Sequence, residues 1–114
     1  MTHHMNLNPQ PFSMIAQGKK TIELRLLDEK RKAVSVGDTL IFTNTENTEE
    51  QLVCLVKNLY IFDSFEKLYQ VLPLDKCGYL PEEISSASYK DMEEYYSPME
   101  QKRYGVVGIE LVLQ

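Results

Sequence analysis

The chain has 114 residues, 43% hydrophobic and 25% charged, which is the make-up of one folded domain and excludes a disordered segment. A formal net charge of −5 excludes a surface built to grip long nucleic acid by its phosphates, so any such contact is local, to one nucleotide or a short single strand. No apolar run approaches the roughly 20 residues that cross a bilayer and no secretory leader is read, so a cytoplasmic monomer with no membrane partner is expected.

The segment Met1 to Met5 holds both histidines, His3 and His4, and reads as a frayed end or an added remnant, ahead of any metal-binding role. Asn8-Pro9 then opens a helix within 6–17, where Phe12, Ile15 and Ala16 recur at helical spacing and Gly18 supplies the stop. A strand over Thr21–Leu26 follows. The run Asp28 to Lys32 is a charged, solvated turn, and Val34 to Asp38 is a second turn that leads into a strand over Thr39–Thr43. Asn44 to Glu50 is a polar loop. Gln51 to Ile61 is a long strand, or two strands broken near Asn58, with Leu52, Cys54 and Val56 on one face and Val53 and Leu55 on the other.

Asp63 is placed to cap a helix over Ser64–Val71 whose buried side carries Phe65, Leu68, Tyr69 and Leu72. Pro73 to Pro81 is loop. A helix is expected over Ser88–Tyr96, and Ser97-Pro98-Met99-Glu100 starts another, with a serine cap, a first-turn proline and an acid near the positive end of the dipole. The closing strand over 105–113 places Val107, Ile109, Leu111 and Leu113 on one face. Few strands, short helices and long connections predict a mainly β fold with α (α+β): a small barrel of about five to six strands flanked by short helices. The absence of a crossover helix between the strands 21–26 and 39–43 disfavours a parallel doubly wound sheet.

The two cysteines match no zinc spacing and do not amount to a disulfide framework. Cys54 reads as a small buried hydrophobe, and Cys77 as a loop thiol without a histidine to activate it. No metal and no cofactor is expected. Charge is uneven: residues 1–44 hold six Lys/Arg against four Asp/Glu (+2), and residues 45–114 hold six against thirteen (−7).

The most informative stretch is Gly18-Lys19-Lys20-Thr21-Ile22-Glu23-Leu24-Arg25. In a strand, Ile22, Leu24 and Leu26 point into a core while Thr21, Glu23 and Arg25 line the opposite face, with Lys20 at its entrance. Such a row can accept from an exocyclic amine through the carboxylate and donate from Lys or Arg to a carbonyl or phosphate. Read as bland structure, the same residues are a surface ion pair worth about 0–1 kcal/mol. Further candidates are Arg31, in the basic run Lys30-Arg31-Lys32, and the tyrosines Tyr60, Tyr69, Tyr79, Tyr89, Tyr95, Tyr96 and Tyr104, which could include a base-stacking platform; Tyr104 beside Arg103 is the preferred one, and most of the others read as edges of the core.

The spacing Gly18-x-Lys20-x-x-Glu23-x-Arg25 resembles the motif of the activating-signal-cointegrator homology (ASCH) domain. Pro11-Phe12 upstream, the Gly37-Asp38 turn, and Tyr104-Gly105-Val106-Val107-Gly108-Ile109 downstream extend that resemblance over most of the chain. It implies a single domain over 1–114 with a β-barrel similar to the PUA domains, and a cleft lined by Lys20, Glu23 and Arg25 that binds RNA or a nucleotide-like ligand. Some small bacterial relatives are amidohydrolases that deacetylate 4-acetylcytidine with a lysine at the place of Lys20, a threonine and a glutamate. Here Glu23 stands where that threonine would be, and Glu66, Asp75, Glu82 and Glu83 remain alternatives for the second acid. In an enzyme of this kind Lys20 and Glu23 would be the catalytic pair. An ammonium held on a carboxylate keeps its proton, which suits binding better than nucleophilic attack. A ribonuclease-like role is a third reading, weakened by the lack of a usable histidine.

Overall fold

The computed structural model describes residues 1–114. Five strands form one curled sheet: β1 (Thr2–Leu7), β2 (Ile22–Leu26), β3 (Thr39–Asn44), β4 (Asn47–Phe62) and β5 (Val106–Leu113), in the order β1-β3-β4-β5-β2. Helices α1 (Pro9–Ala16), α2 (Glu29–Lys32), α3 (Phe65–Val71) and α4 (Pro98–Tyr104) sit in the connections, with 3-10 turns at Leu74–Lys76, Pro81–Ser86 and Tyr89–Glu94. All pairings are antiparallel except β1 with β3. The expected α+β class and curled, barrel-like sheet are what the chain adopts.

Two cores share this sheet. Its concave face buries Met5, Leu7, Leu40, Phe42, Val107 and Ile109 beneath Phe12 and Ile15 of α1. The opposite face, at β2 and β5, packs Ile22, Leu24, Leu26 and Val106 against Phe65, Leu68 and Leu72. Gly108 lies opposite Leu24 on this second face, and a Cβ there would stand 2.7 Å from a Leu72 methyl, so the bare backbone is what lets α3 sit down on the sheet.

Several local expectations change. The amino end is not frayed: β1 pairs with β3 from Thr2↔Thr39 to Leu7↔Asn44, and its alternation buries Met5 and Leu7 while His4 and Asn6 stay exposed. His3 and the terminal ammonium both reach Asp38, at 2.8 and 3.4 Å. The stretch Asn44 to Glu50 is a tight hairpin turn followed by the exposed start of β4; Asn47 pairs with Asn44 and the register then jumps to Gln51↔Thr43, so no apolar alternation marks it. Asp28 accepts from the Arg31 amide and makes Glu29–Lys32 one helical turn. The cap of α3 is Ser64, while Asp63 lies 3.6 Å from Lys67. Tyr89–Glu94 winds as a 3-10 helix capped by Ser88. Leu113 stays 43% exposed at the sheet's rim. The irregularity near Asn58 is real: β4 shifts register against β5 between Val56 and Asn58, with β5 paired on both sides of the shift and β3 paired only as far as Leu55.

Candidate functional site

The motif strand β2 is a sheet edge, yet nearly all of it is buried. Glu23 stands opposite Ile109 and Arg25 opposite Val107, so the ionic row lies on the concave side with the larger core. Glu23 is only 4% exposed. Its two oxygens are taken by different cations: Lys20 Nζ lies 2.7 Å from Oε1, and Arg25 Nε donates to Oε2 at 2.6 Å. Burial pushes the Glu23 carboxyl up, but the charges and hydrogen bonds of Lys20 and Arg25 outweigh it and hold the group below its ordinary value. Arg25 also donates at 2.8 Å to the main-chain carbonyl of Asn6 on β1, the opposite edge strand. One guanidinium thus ties the acid to both open edges of the curled sheet.

These three side chains meet a cavity of about 540 Å³, within the range of small-molecule sites. One wall comes from the β1–α1 corner, with Asn6, Leu7, Asn8, Gln10, Pro11 and Met14. Across from it stand Tyr69 of α3 and the segment Cys77-Gly78-Tyr79; Tyr95 and Tyr96, with Met92, complete that side. The Lys76 carbonyl accepts from the Thr21 amide at 2.9 Å, which pins this second wall to the start of β2. Two of these tyrosines are fixed by their own hydroxyls: Tyr69 meets Tyr79 at 2.8 Å, and Tyr79 donates to Asp91 at 2.6 Å. Burial, then the bonds to Asp91 and Tyr69, push the Tyr79 phenol far above its ordinary value, and burial lifts Tyr69 to about 12. Both phenols therefore stay protonated and act as donors or ring faces, not as bases. Burial likewise raises Cys77 to about 12, so it offers no thiolate.

Lys20, Glu23 and Arg25 are brought together in the cavity. Arg31 and Tyr104 are not among its lining residues. Arg31 pairs with Asp28 at 2.9 Å, with its Nε buried and unpartnered, and Tyr104 packs on the second core under Arg103, 5.0 Å from its ring centre. Of the four middle acids left open, Glu83 alone lines the cavity. The sequence favoured Tyr104 and did not single out the tyrosines that form the second wall. Tyr69 carried a signal as part of an amphipathic helix, but Tyr79, Tyr95 and Tyr96 sit in irregular segments whose position no periodicity announces.

Gly78 backs the lysine. Its φ is +111°, and a Cβ there would lie 3.3 Å from Lys20 Cδ. Gly78→Ala is expected to cost about 1–3 kcal/mol in chemical unfolding, since the backbone is strained for any L side chain and the lysine must also yield. A change below about 0.5 kcal/mol would show that the loop relaxes away from Lys20.

The ASCH domain model matches residues 5–113. The crystal structure of hypothetical protein PH0355 superimposes with a TM-score of 0.82 at 30% identity, covering 100% of both chains. Protein PF0455 from Pyrococcus furiosus, solved by NMR, gives 0.72 at 29% identity over 99% of this chain and 97% of its own. ASCH from Zymomonas mobilis shares the fold at 0.67 and 14% identity, over 97% of this chain and 66% of that one. None of the curated proteins matches the chain. With the motif, the curled sheet and the family model in agreement over nearly every residue, the chain belongs to the ASCH domain family.

Proposed function

We propose that the protein binds a nucleobase, presented by RNA or by a nucleotide-like molecule, in the cavity at Lys20, Glu23 and Arg25. The observation that carries this reading is the buried, doubly paired carboxylate facing a hollow of about 540 Å³. Each carboxylate oxygen keeps lone-pair capacity beyond the one contact it makes, so Glu23 can still accept from an exocyclic amine. Lys20 and Arg25 retain unused donors for a ring carbonyl, and the tyrosine wall supplies faces for stacking, worth about 1–3 kcal/mol per base. Arg31 and Tyr104 could enter only as outlying contacts of a longer ligand.

Hydrolysis of an acylated nucleoside is the second reading, favoured by Lys20 sharing the cavity with both Glu23 and Glu83. One experiment separates the two. Lys20→Ala and Arg25→Ala are each expected to weaken binding of a labelled short RNA or a nucleotide at least tenfold, or about 1.4 kcal/mol, with the fold retained by circular dichroism. Release of cytidine from 4-acetylcytidine, lost in Lys20→Ala, would instead establish the hydrolase. Absence of binding of a nucleoside, a nucleotide or the RNA, together with absence of turnover by the wild type, would defeat both.

A further inference from the structure

The nucleobase reading leaves the carrier open, and the charges lining the cavity narrow it. Only two lining residues are cationic, Lys20 and Arg25, and both are spent on the same buried acid. Against them stand four carboxylates: Glu23 itself and, on the tyrosine side, Glu83, Asp91 and Glu94. None of the three outer acids faces a cation of its own within the cavity. Glu83 accepts from the Leu80 amide and Asp91 from Tyr79 and the Ser88 amide, while Glu94 makes no ion pair. In the basic run elsewhere Arg31 pairs with Asp28 and Lys32 with Glu29, and no residue of that run lines the cavity.

A phosphate brought here would meet no uncommitted cation and three carboxylates. It would reach only the spare donors of Lys20 and Arg25, whose charge Glu23 already offsets, with the three outer carboxylates repelling it. A neutral or cationic heterocycle meets the opposite situation: acceptors for its amines, a buried ion pair to read its polar edge, and four tyrosines in an acidic setting of the kind that favours cations. We infer that the cavity selects against phosphate and takes the base of a free nucleoside, neutral or positively charged, with Glu83, Asp91 and Glu94 as the residues that set this preference.

The inference rests on the nucleobase reading, and the test keeps the two apart. The four ribonucleosides, their 5′-monophosphates and a six-nucleotide RNA are titrated into the 15N-labelled protein at about 0.02 M salt, where screening reaches only beyond ~20 Å. A nucleoside is expected to bind about tenfold more tightly than its monophosphate, and that ratio is expected to fall below about threefold at 0.5 M salt and in the Glu83→Gln/Glu94→Gln variant. Gln keeps the Leu80 contact of Glu83 possible, so the variant tests charge and not folding, which its amide spectrum verifies. A monophosphate or RNA that binds as tightly as the nucleoside, or a ratio unmoved by salt and by the variant, overturns phosphate exclusion and leaves the nucleobase site standing. Binding of none of the three ligands overturns both.

Discussion

Glu23→Ala is expected to lower the unfolding free energy by about 3–5 kcal/mol, because it strands two cations that the fold has largely removed from water. The Lys20 and Arg25 side chains are only 11% and 13% exposed, and Glu23 is their shared counter-ion. In a domain of this size that loss corresponds to a melting point about 10–25 °C lower. A surface ion pair would give under 1 kcal/mol, so a small change would mean that water reaches both cations. Glu23→Gln keeps the shape and an acceptor but not the charge, and its cost should fall between wild type and alanine. Acid has the same effect by another route. The folded Glu23 carboxyl lies below its unfolded value of 4.5, so below that pH the unfolded chain binds more protons than the native one. Its contribution is complete above pH 4.5 and is lost as pH falls through the folded value. Asp38, drawn from 3.8 to about 2 by the His3 hydrogen bond and then by the Ser35 amide, carries the loss further toward pH 2. Urea unfolding of Glu23→Gln between pH 4.5 and 3 should therefore show a shallower slope than wild type.

The same ion pair shows what could be read from the chain alone. The alternation Ile22, Glu23, Leu24, Arg25, Leu26 assigns faces because a strand has period two, and the structure buries the three apolar residues on one side and gathers Lys20, Glu23 and Arg25 on the other. Local chemistry was equally readable at Ser97-Pro98, where Ser97 caps the helix as expected and Glu100, in its first turn, also accepts from the Ser97 amide. What stayed hidden was set by distant partners. β1 becomes a strand because β3 lies beside it, although Thr2-His3-His4 resembles an appended tail. Asn47 joins β4 by pairing with Asn44 across a register shift, which side-chain patterning does not report. The tyrosine wall is assembled from Tyr69, Tyr79, Tyr95 and Tyr96, up to 27 positions apart, joined by hydroxyl bonds and by packing on the second core. Tyr104 offered a stronger local argument, sitting beside Arg103 and a family motif, yet the turn of α4 directs it onto that core.

That second core gives the other large expected effect. Phe65 is fully buried between β2, β5 and the rest of α3, and Phe65→Ala should cost about 3–5 kcal/mol, through lost transfer energy and the cavity left behind. The consequence reaches past stability, because Phe65 also positions a wall of the site. Its ring stacks on Tyr96 with centroids 5.9 Å apart, and its amide donates to Gln101, whose side-chain nitrogen donates to the Tyr96 carbonyl. Gln101 is itself buried, so these bonds form away from competing water. Truncating Phe65 removes the surface against which Tyr96 rests, and Tyr96 lines the cavity while Phe65 does not. Phe65→Leu, which fills most of the volume, should recover over half of the stability and restore less of the ligand affinity, because it cannot stack. Val53→Ala, on the exposed outer face of β4, serves as the comparison and should stay within about 0.5 kcal/mol and leave binding unchanged. Denaturant titrations paired with nucleoside binding on the three variants would decide the matter. If Phe65→Ala lost stability but kept full affinity, the tyrosine wall would have to be held by the Tyr79–Asp91 bond and not by the core beneath it.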